Sequence, residues 1–302
     1  MTKRVAITGS SGLIGGALRR TLVERGDAVV RVVRRPPTAS DEVQWDPSTG
    51  SLDPDALDGV DVVVNLAGVG IGDKRWDAAY KREVERSRTD ATGTVAQALA
   101  AHLDRTGRRI ALVNASAVGY YGDRGDEVLT EDSNPGSDFL SGVVVRWEAA
   151  ADPARAAGLP VAVMRTGLVM ARKGGAFEPL LRLARLGLGG PLGSGREWWP
   201  WITLVDEVRA IVHAIDHPEL TGPVNLVAPG EARQKEIARA IGAALSRPAF
   251  LPAPQFALRV VVGEFADSIV ASQRIRPARL LESGFAFEHP DLETAIRWLA
   301  AR

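Results

Sequence analysis

The sequence has 302 residues, with 37 Lys and Arg balanced by 37 Asp and Glu, and it contains no cysteine. A formal charge of zero argues against nucleic acid or an anionic membrane as the main partner, because both select for a basic excess. The absence of cysteine excludes disulfides, thiolate metal sites and cysteine nucleophiles, and only five of the basic residues are lysines.

Strand-like runs alternate with helix-like stretches over the first two-thirds of the chain. Continuous β-branched runs are typical of strands buried on both faces of a parallel sheet, and the alternation implies right-handed crossovers. The predicted fold class is therefore α/β, a doubly wound parallel sheet. Strands are predicted at residues 4–8, 28–33, 60–65, 109–115, 161–165 and 223–227, and helices at 13–25, 77–103 and 143–157.

The character of the sequence changes from Leu168 onward. Two glycine-rich stretches and a tryptophan cluster between residues 174 and 201 predict loops rather than sheet, and helices are predicted at 233–245, 254–271 and 292–301. We therefore expect a larger α/β domain from residues 1–167 and 202–228. A smaller, mostly helical part is expected from residues 168–201 and 229–302.

The sharpest local signal is the glycine loop that joins the first predicted strand to the first predicted helix. A dinucleotide pyrophosphate needs a tight turn, bare backbone that it can approach, and a helix N-terminus that favours anions. In that position a glycine triplet is a strong signal, although a turn that only packs a helix on a strand remains the alternative. The loop supplies Gly9, Gly12, Leu13, Ile14 and Gly15 as predicted cofactor contacts.

The end of the second predicted strand bears on the choice of cofactor. Enzymes that prefer NAD place an acid there for the ribose 2′-hydroxyl, whereas NADP requires a cation for the 2′-phosphate. Here Val33 is followed by Arg34 and Arg35, and arginine suits bidentate phosphate contacts. The sequence therefore predicts NADP(H) over NAD, with a solvated arginine pair as the alternative. Leu66, Ala67 and Gly68, which follow the third predicted strand, are expected to form a further cofactor wall, with a turn that only ends the strand as the alternative.

These motifs, together with the segment Ser116-Ala-Val-Gly-Tyr-Tyr-Gly122, resemble the extended short-chain dehydrogenase/reductase superfamily. More narrowly, the chain is similar to its atypical epimerase-like group, which includes bacterial YfcH-type proteins. The matching marks span almost the whole chain and include Trp45-Asp46-Pro47, Arg146-Trp147-Glu148, Trp199-Pro-Trp-Ile202, Asn225-Leu-Val-Ala-Pro229 and Gln273-Arg-Ile-Arg-Pro277. The resemblance implies a doubly wound NADP-binding sheet with a smaller C-terminal substrate part.

In this superfamily a tyrosine exchanges the proton of the substrate, a lysine four residues later lowers its pKa, and a serine orients the carbonyl. Ser116 stands at the serine position, but the tyrosine and lysine are missing, since their positions fall at about Leu140 and Val144. We therefore expect Ser116 with Tyr120 or Tyr121 to transfer the proton.

The resemblance also implies which residues contact the cofactor and the substrate. Val33 and Arg34 would lie near the 2′-phosphate, Glu83 and Arg88 on the helix that faces the ribose or nicotinamide, and Leu168 near the carboxamide. The substrate is expected to meet two arginines and three tryptophans, although aromatic packing of a surface loop explains the tryptophans equally well. These substrate residues are Arg165, Arg196, Trp198, Trp199 and Trp201.

Three functions stay open on this evidence. The first is an NADP(H)-dependent oxidoreductase or epimerase-like enzyme that acts on a small or nucleotide-linked carbonyl or alcohol substrate. The second is a binding protein that senses NADP(H) without turnover, and the third is an ordinary nucleotide-sugar epimerase, which the missing tyrosine weakens. We expect a cytoplasmic protein, because neither a signal peptide nor an apolar run of roughly 18–20 residues is seen. No metal is expected, and the chain could form a homodimer.

Overall fold

An eight-stranded sheet forms the centre of the computed structural model, which describes residues 2–301. Seven of its strands run parallel, and the short β4 pairs antiparallel to β3 at one edge. The remaining strands form two small parallel pairs, β9 with β10 and β7 with β12. The strands are β1 (Arg4–Thr8), β2 (Ala28–Val33), β3 (Glu42–Asp46), β4 (Ser51–Leu52), β5 (Val62–Asn65), β6 (Ala111–Ala117), β7 (Val128–Leu129), β8 (Val161–Thr166), β9 (Leu168–Met170), β10 (Trp201–Thr203), β11 (Gly222–Leu226) and β12 (Arg274–Ile275).

Helices cover both faces of the sheet and build most of the C-terminal part. None of the helices within residues 2–301 is long and apolar enough to cross a membrane. Short 3₁₀ turns cover Pro54–Leu57 and Val118–Tyr121. The helices are α1 (Leu13–Glu24), α2 (Ala78–Thr106), α3 (Phe139–Ala149), α4 (Asp152–Ala156), α5 (Phe177–Arg185), α6 (Leu204–Asp216), α7 (Gln234–Ala244), α8 (Gln255–Val262), α9 (Phe265–Ile269), α10 (Ala278–Glu282) and α11 (Leu292–Ala300).

The order of the strands fixes where a ligand can bind. Across the sheet the order is β11-β8-β6-β5-β1-β2-β3-β4, so the chain moves outward from β1 through β2 and then returns to the other side of β1 with β5. In open α/β sheets, ligands bind outside the carboxyl ends of the strands at such a reversal. The glycine loop after β1 lies at this point.

All six predicted sheet strands are present, with ends shifted by at most two residues, and the α/β prediction is confirmed. Two predicted helices are each broken in two. The helix predicted over 143–157 begins earlier, at Phe139 after an Asp138 cap, and a second helix starts beside Pro153. The helix predicted over 254–271 breaks at Gly263, whose left-handed φ of +68° interrupts helical geometry.

The prediction of loops rather than sheet between residues 174 and 201 is wrong at Trp201. That residue begins β10, which pairs with β9. The same stretch contains α5, which was not predicted and which buries Phe177, Leu181 and Ala184 at helical spacing. The glycine-rich flanks masked this short amphipathic helix.

Candidate functional site

The glycine loop after β1 is closed so tightly that side chains cannot enter it. Gly9 has a φ of +64°, and a Cβ there would lie 2.6 Å from the carbonyl oxygen of Leu66, which follows β5. A Cβ on Gly15 would lie 2.2 Å from the carbonyl oxygen of Gly9. Both glycines are therefore required by the close approach of backbone to backbone.

The N-terminus of α1 opens from this loop without a side-chain cap. Its N-cap residue is Gly12, and no side chain accepts a hydrogen bond from the first turn. A Cβ on Gly12 would meet only the Gly9 oxygen, at 3.4 Å, so this glycine leaves its outer side open. Uncapped N–H groups and the helix dipole form a site for an anion. The geometry fits the pyrophosphate of a dinucleotide.

Two arginines follow β2 beside this loop, and the structure distinguishes them. Arg35 donates to both carboxylate oxygens of Glu42, with its Nη1 2.7 Å from one of them. The Arg35 guanidinium lowers the pKa of Glu42 to about 2, so this acid is ionised and neutralises Arg35. Arg34 is exposed and forms no ion pair with any residue between 2 and 301. It remains available for a phosphate.

A buried amide network supports the strand ends beneath the loop. Thr8 Oγ1 donates to Asn65 Oδ1 at 2.6 Å, and Asn65 Nδ2 donates to Asn114 Oδ1 at 2.7 Å and to Thr92 Oγ1 at 3.0 Å. Trp147 Nε1 donates to the same Thr92 oxygen at 3.0 Å. These bonds join β1, β5 and β6 to α2 and α3, and they fix the positions of the three strand ends relative to one another.

A second polar network occupies the carboxyl ends of β6 and β8. Ser116 Oγ donates to Glu148 Oε1 at 2.6 Å, and Arg165 holds the same carboxylate with Nε at 2.8 Å and Nη2 at 2.9 Å. Arg165 Nη1 also donates to the Tyr121 hydroxyl at 3.0 Å, which donates to Asn225 Oδ1 at 2.7 Å. The predicted proton-transfer serine and one predicted substrate arginine thus meet in one buried ion-pair network.

The two predicted tyrosines differ in their surroundings. Tyr121 is fully buried, and burial raises the pKa of its phenol to about 12. Tyr120 is half-buried, its ring lies 3.4 Å from the guanidinium carbon of Arg165, and its hydroxyl takes no part in the network. Of the two hydroxyls, only that of Tyr120 makes no hydrogen bond to another side chain or backbone group within residues 2–301.

Helix α3 carries Leu140 and Val144 near the place of these tyrosines. A Cβ on Gly119 would lie 3.6 Å from Leu140 Cβ and 3.8 Å from Val144 Cγ2. Val144 is buried, and Leu140 packs with Trp76 and Tyr80. The face of α3 beside the tyrosine turn is therefore apolar at both positions.

The other predicted cofactor contacts differ in where they lie: two are close to the strand ends, and one forms an exposed ion pair. Arg88 lies beside Gly68, and it donates to the carbonyl oxygens of Val84 and Val69, both at 2.9 Å. Leu168 is half-buried and donates its N–H to the Pro200 oxygen at 2.7 Å, next to the end of β8. Glu83 is exposed on α2 and pairs at 3.2 Å with Lys74, which lies in the loop that follows β5.

The three predicted tryptophans line one shallow cleft. Trp198 is half-buried, donates to Asp126 at 2.6 Å, and carries Arg233 over its ring at 4.2 Å. Trp199 and Trp201 are buried in the core of the C-terminal part. Arg196 is exposed and precedes these tryptophans in the chain. Its backbone N–H donates a hydrogen bond to Ser194 Oγ at 3.1 Å.

Three acids near these networks, two of them buried, were not predicted as site residues. Glu148 was quoted only as part of a family mark, and its pairing with Arg165 needed the fold to be seen. Glu131 accepts hydrogen bonds from the N–H groups of Asn225 and Arg279, and burial raises its pKa. Glu207 accepts a hydrogen bond from Thr166 Oγ1 at 2.8 Å, and burial raises its pKa to about 8.

Parallel strands, a bare glycine loop and an uncapped helix at the sheet reversal define a Rossmann-type dinucleotide-binding protein. The chain belongs to the NAD dependent epimerase/dehydratase family, which it matches over residues 5–227. Residues 253–299 match a domain of unknown function (DUF1731).

Three similar proteins match this chain over nearly their full length. Epimerase family protein Mb2239 of Mycobacterium bovis is 43% identical over 299 residues, which cover 99% of this chain and 98% of the relative. Epimerase family protein YfhF of Bacillus subtilis is 33% identical, with 98% of each chain covered. The crystal structure of human epimerase family protein SDR39U1 (isoform 2) with NADPH is 34% identical with a TM-score of 0.88, and it covers 98% of this chain and 99% of that chain.

Proposed function

We propose that this protein binds NADP(H) in preference to NAD(H) and acts as an oxidoreductase on a small or nucleotide-linked carbonyl or alcohol substrate. The observation that carries the preference is Arg34 at the end of β2, which has no ion-pair partner among residues 2–301, beside an Arg35 that Glu42 neutralises. The human relative that was solved with NADPH supports the same choice.

The two arginines provide a matched test of the preference. Arg34→Ser should weaken NADPH binding by about 10–100-fold and leave NADH binding unchanged, since a charge-assisted bond to phosphate contributes about 1.5–3 kcal/mol. Arg35→Ser should have a smaller effect, because its charge is already engaged. Isothermal titration with both cofactors measures this, and an equal loss of NADPH and NADH affinity in Arg34→Ser would refute the assignment.

When bound, the nicotinamide supplies or accepts the hydride. The chain itself supplies the anion site at Gly9, Gly12 and Gly15, and it supplies a proton donor near the substrate. Tyr120 is the better candidate of the two tyrosines, because the Tyr121 hydroxyl is already bonded to Arg165 and Asn225. The Arg165 guanidinium lies against the Tyr120 ring, 3.4 Å from its centroid, and this contact holds the phenol beside the strand ends.

A different observation favours the NADP(H)-sensing alternative. The hydroxyls of Ser116 and Tyr121 are both engaged with other protein groups, and α3 offers only Leu140 and Val144 at the superfamily positions. A sensor needs the cofactor site and no proton donor.

Turnover separates the two functions. NADPH oxidation is followed with a panel of carbonyl substrates, and a positive substrate is retested with Tyr120→Phe and Tyr121→Phe. The enzyme hypothesis expects turnover that falls in Tyr120→Phe. NADPH binding without turnover across the panel would favour the sensor, and unchanged turnover in both variants would refute the tyrosine assignment.

A further inference from the structure

A buried carboxylate lies at the turn that joins β2 to β3, next to Arg34. Glu42 begins β3 and stands opposite Arg31 in the parallel pairing with β2. Residues 34–40 of the turn are exposed, whereas the Glu42 side chain is fully buried. A buried carboxylate needs partners for both of its oxygens, so the groups around Glu42 show what this acid can do.

Donors from both sides of the turn converge on Glu42. Arg35 Nη1 donates to Oε2 at 2.7 Å and Arg35 Nη2 donates to Oε1, while Arg31 Nη1 lies 2.9 Å from Oε1. Thr38 donates to Oε2 with its N–H at 2.7 Å and its Oγ1 at 3.0 Å. These contacts fill the roughly four acceptor positions of a carboxylate. Glu42 can therefore act on a cofactor only through the groups that it holds.

The two arginines on Glu42 differ in what else holds them. Arg31 also donates to both oxygens of Asp41, at 2.9 and 3.0 Å. Arg35 has no acidic partner except Glu42 in the part of the chain that the structure describes, and its other hydrogen bond goes to the Pro36 carbonyl oxygen at 2.9 Å. The Arg35 side chain is 49% exposed. Loss of the Glu42 charge would therefore release Arg35, while Arg31 would stay with Asp41.

A released Arg35 would be close enough to share a phosphate with Arg34. The Cα atoms of adjacent residues lie about 3.8 Å apart, and both side chains are exposed. A phosphate group has several strong acceptor oxygens and can bind more than one guanidinium. The turn thus carries two arginines that suit a 2′-phosphate, of which the Glu42 carboxylate engages one.

We propose that Glu42 sets the strength of cofactor discrimination by keeping Arg35 away from the 2′-phosphate. Glu42 is a positioning residue, because it acts through Arg35 and does not touch the cofactor. The carboxylate and the phosphate compete for one guanidinium, and the carboxylate holds it with two bonds from a buried position. This inference rests on the proposed function, in which Arg34 binds the 2′-phosphate.

Glu42→Gln tests the proposal directly. The amide has nearly the same shape and keeps a carbonyl oxygen for Thr38, but it removes the charge that holds Arg35. NADPH should bind about 5–10-fold more tightly, because Arg35 gains a charge-assisted contact. The Kd for NADH should stay within about 2-fold of its wild-type value. Isothermal titration gives the ratio of the two Kd values, which a merely structural role of Glu42 would not raise.

Asp41→Asn is the matched control for charge. It makes the same charge change at the neighbouring residue, but it leaves the pair of Arg35 with Glu42 in place. Its Kd for NADPH should stay within about 2-fold of wild type. This control separates the release of Arg35 from a general loss of negative charge near the phosphate.

A double variant identifies Arg35 as the group that Glu42 acts through. Glu42→Gln combined with Arg35→Ser should lose the gain and return the Kd for NADPH to within about 2-fold of wild type. Glu42→Asp is a second variant that keeps the charge but draws it back from Arg35 by one methylene, and it should tighten NADPH binding by a smaller factor than Glu42→Gln. Arg35→Ser alone should change the Kd for NADPH by less than about 2-fold.

Three results would overturn the proposal. The first is a Kd for NADPH that neither Glu42→Gln nor Glu42→Asp lowers, and the second is a double variant that keeps the tighter binding. The third is an equal loss of NADPH and NADH affinity in Glu42→Gln, which would mean that Glu42 only holds the turn in shape. Arg34→Ser tests the proposed function separately. A selective loss of NADPH affinity in Arg34→Ser without a gain in Glu42→Gln would reject the role of Glu42 and leave the cofactor preference standing.

Discussion

Two regions at the carboxyl ends of the strands are built in opposite ways. One is the cofactor edge, formed by the glycine loop, the start of α1 and the end of β2; the other is the group of strand ends around Ser116. At the cofactor edge, the glycine loop offers bare backbone, α1 begins without a side-chain cap, and Arg34 forms no ion pair with the part of the chain that the structure describes. Around Ser116, the side chains of Ser116, Tyr121, Glu148 and Arg165 are hydrogen-bonded to one another or to Asn225. The first region leaves its hydrogen-bond donors available for a ligand. In the second region the charged and polar groups bond to one another and hold the strand ends together.

The largest expected effect is loss of the ion pair around Ser116. Glu148→Gln leaves the buried Arg165 charge without its partner, which should lower the free energy of unfolding by about 3–5 kcal/mol. Urea unfolding measures it. Glu85→Gln removes an acid from the exposed pair with Arg146 and should cost less than about 1 kcal/mol. An equal loss of unfolding free energy in both variants would mean that the Glu148–Arg165 pair contributes no more than the exposed Glu85–Arg146 pair.

The second prediction concerns Glu207, which is buried beside the end of β8. Its pKa is about 8 in the folded protein, against an ordinary value of 4.5. Between these values the unfolded chain releases the proton while the native protein keeps it, so the free energy of unfolding falls as pH rises from about 4.5 to 8. At about 1.4 kcal/mol for each pKa unit, the loss is roughly 3–5 kcal/mol.

Glu207→Gln should remove this pH dependence, and Glu24→Gln, an exposed acid on α1, should retain it. The measurement is urea unfolding at pH 5 and pH 8 for the three proteins. A wild-type protein whose stability does not fall relative to Glu207→Gln over that range would show that Glu207 is ionised in the fold.

The third prediction separates two glycines of the cofactor edge. Gly15→Ala places a Cβ against the Gly9 oxygen, so it should lower both the unfolding temperature and NADPH affinity. Gly12→Ala meets only an ordinary contact at 3.4 Å, and it should lower NADPH affinity with little change in the unfolding temperature. Calorimetry and NADPH titration provide the two readouts. A Gly12→Ala variant that binds NADPH normally would place the pyrophosphate elsewhere.

The smallest expected effect compares the two tyrosines. Tyr121→Phe leaves Arg165 and Asn225 each short of a buried hydrogen bond, which should cost about 1–3 kcal/mol. Tyr120→Phe removes a hydroxyl outside the network and should cost less than about 0.5 kcal/mol. Urea unfolding of both variants tests the difference, and the reverse order would show that Tyr120, rather than Tyr121, belongs to the network.

The difference between the two regions also explains what the sequence could predict. The cofactor edge is local: the strand, glycine loop and helix are contiguous, so spacing alone indicated Gly9, Gly12 and Gly15. The second network joins Ser116, Glu148, Arg165 and Asn225 across more than 100 positions. Such pairing depends on strand order, which spacing does not reveal.

Two local errors have local causes. The helix α5 was missed because glycines flank it on both sides, and Trp201 was expected in a loop because it follows Pro200 in an aromatic cluster. Arg34 and Arg35 could not be told apart by sequence, since Glu42 reaches Arg35 only after β3 pairs with β2.

The most direct test of the account is the affinity of the wild-type protein for the two cofactors. Titration of the protein with NADPH and with NADH at equal ionic strength gives the two Kd values. The unpaired Arg34 predicts that NADPH binds about 10–100-fold more tightly. Equal affinities, or tighter binding of NADH, would contradict the assignment of the β2 end as a 2′-phosphate site.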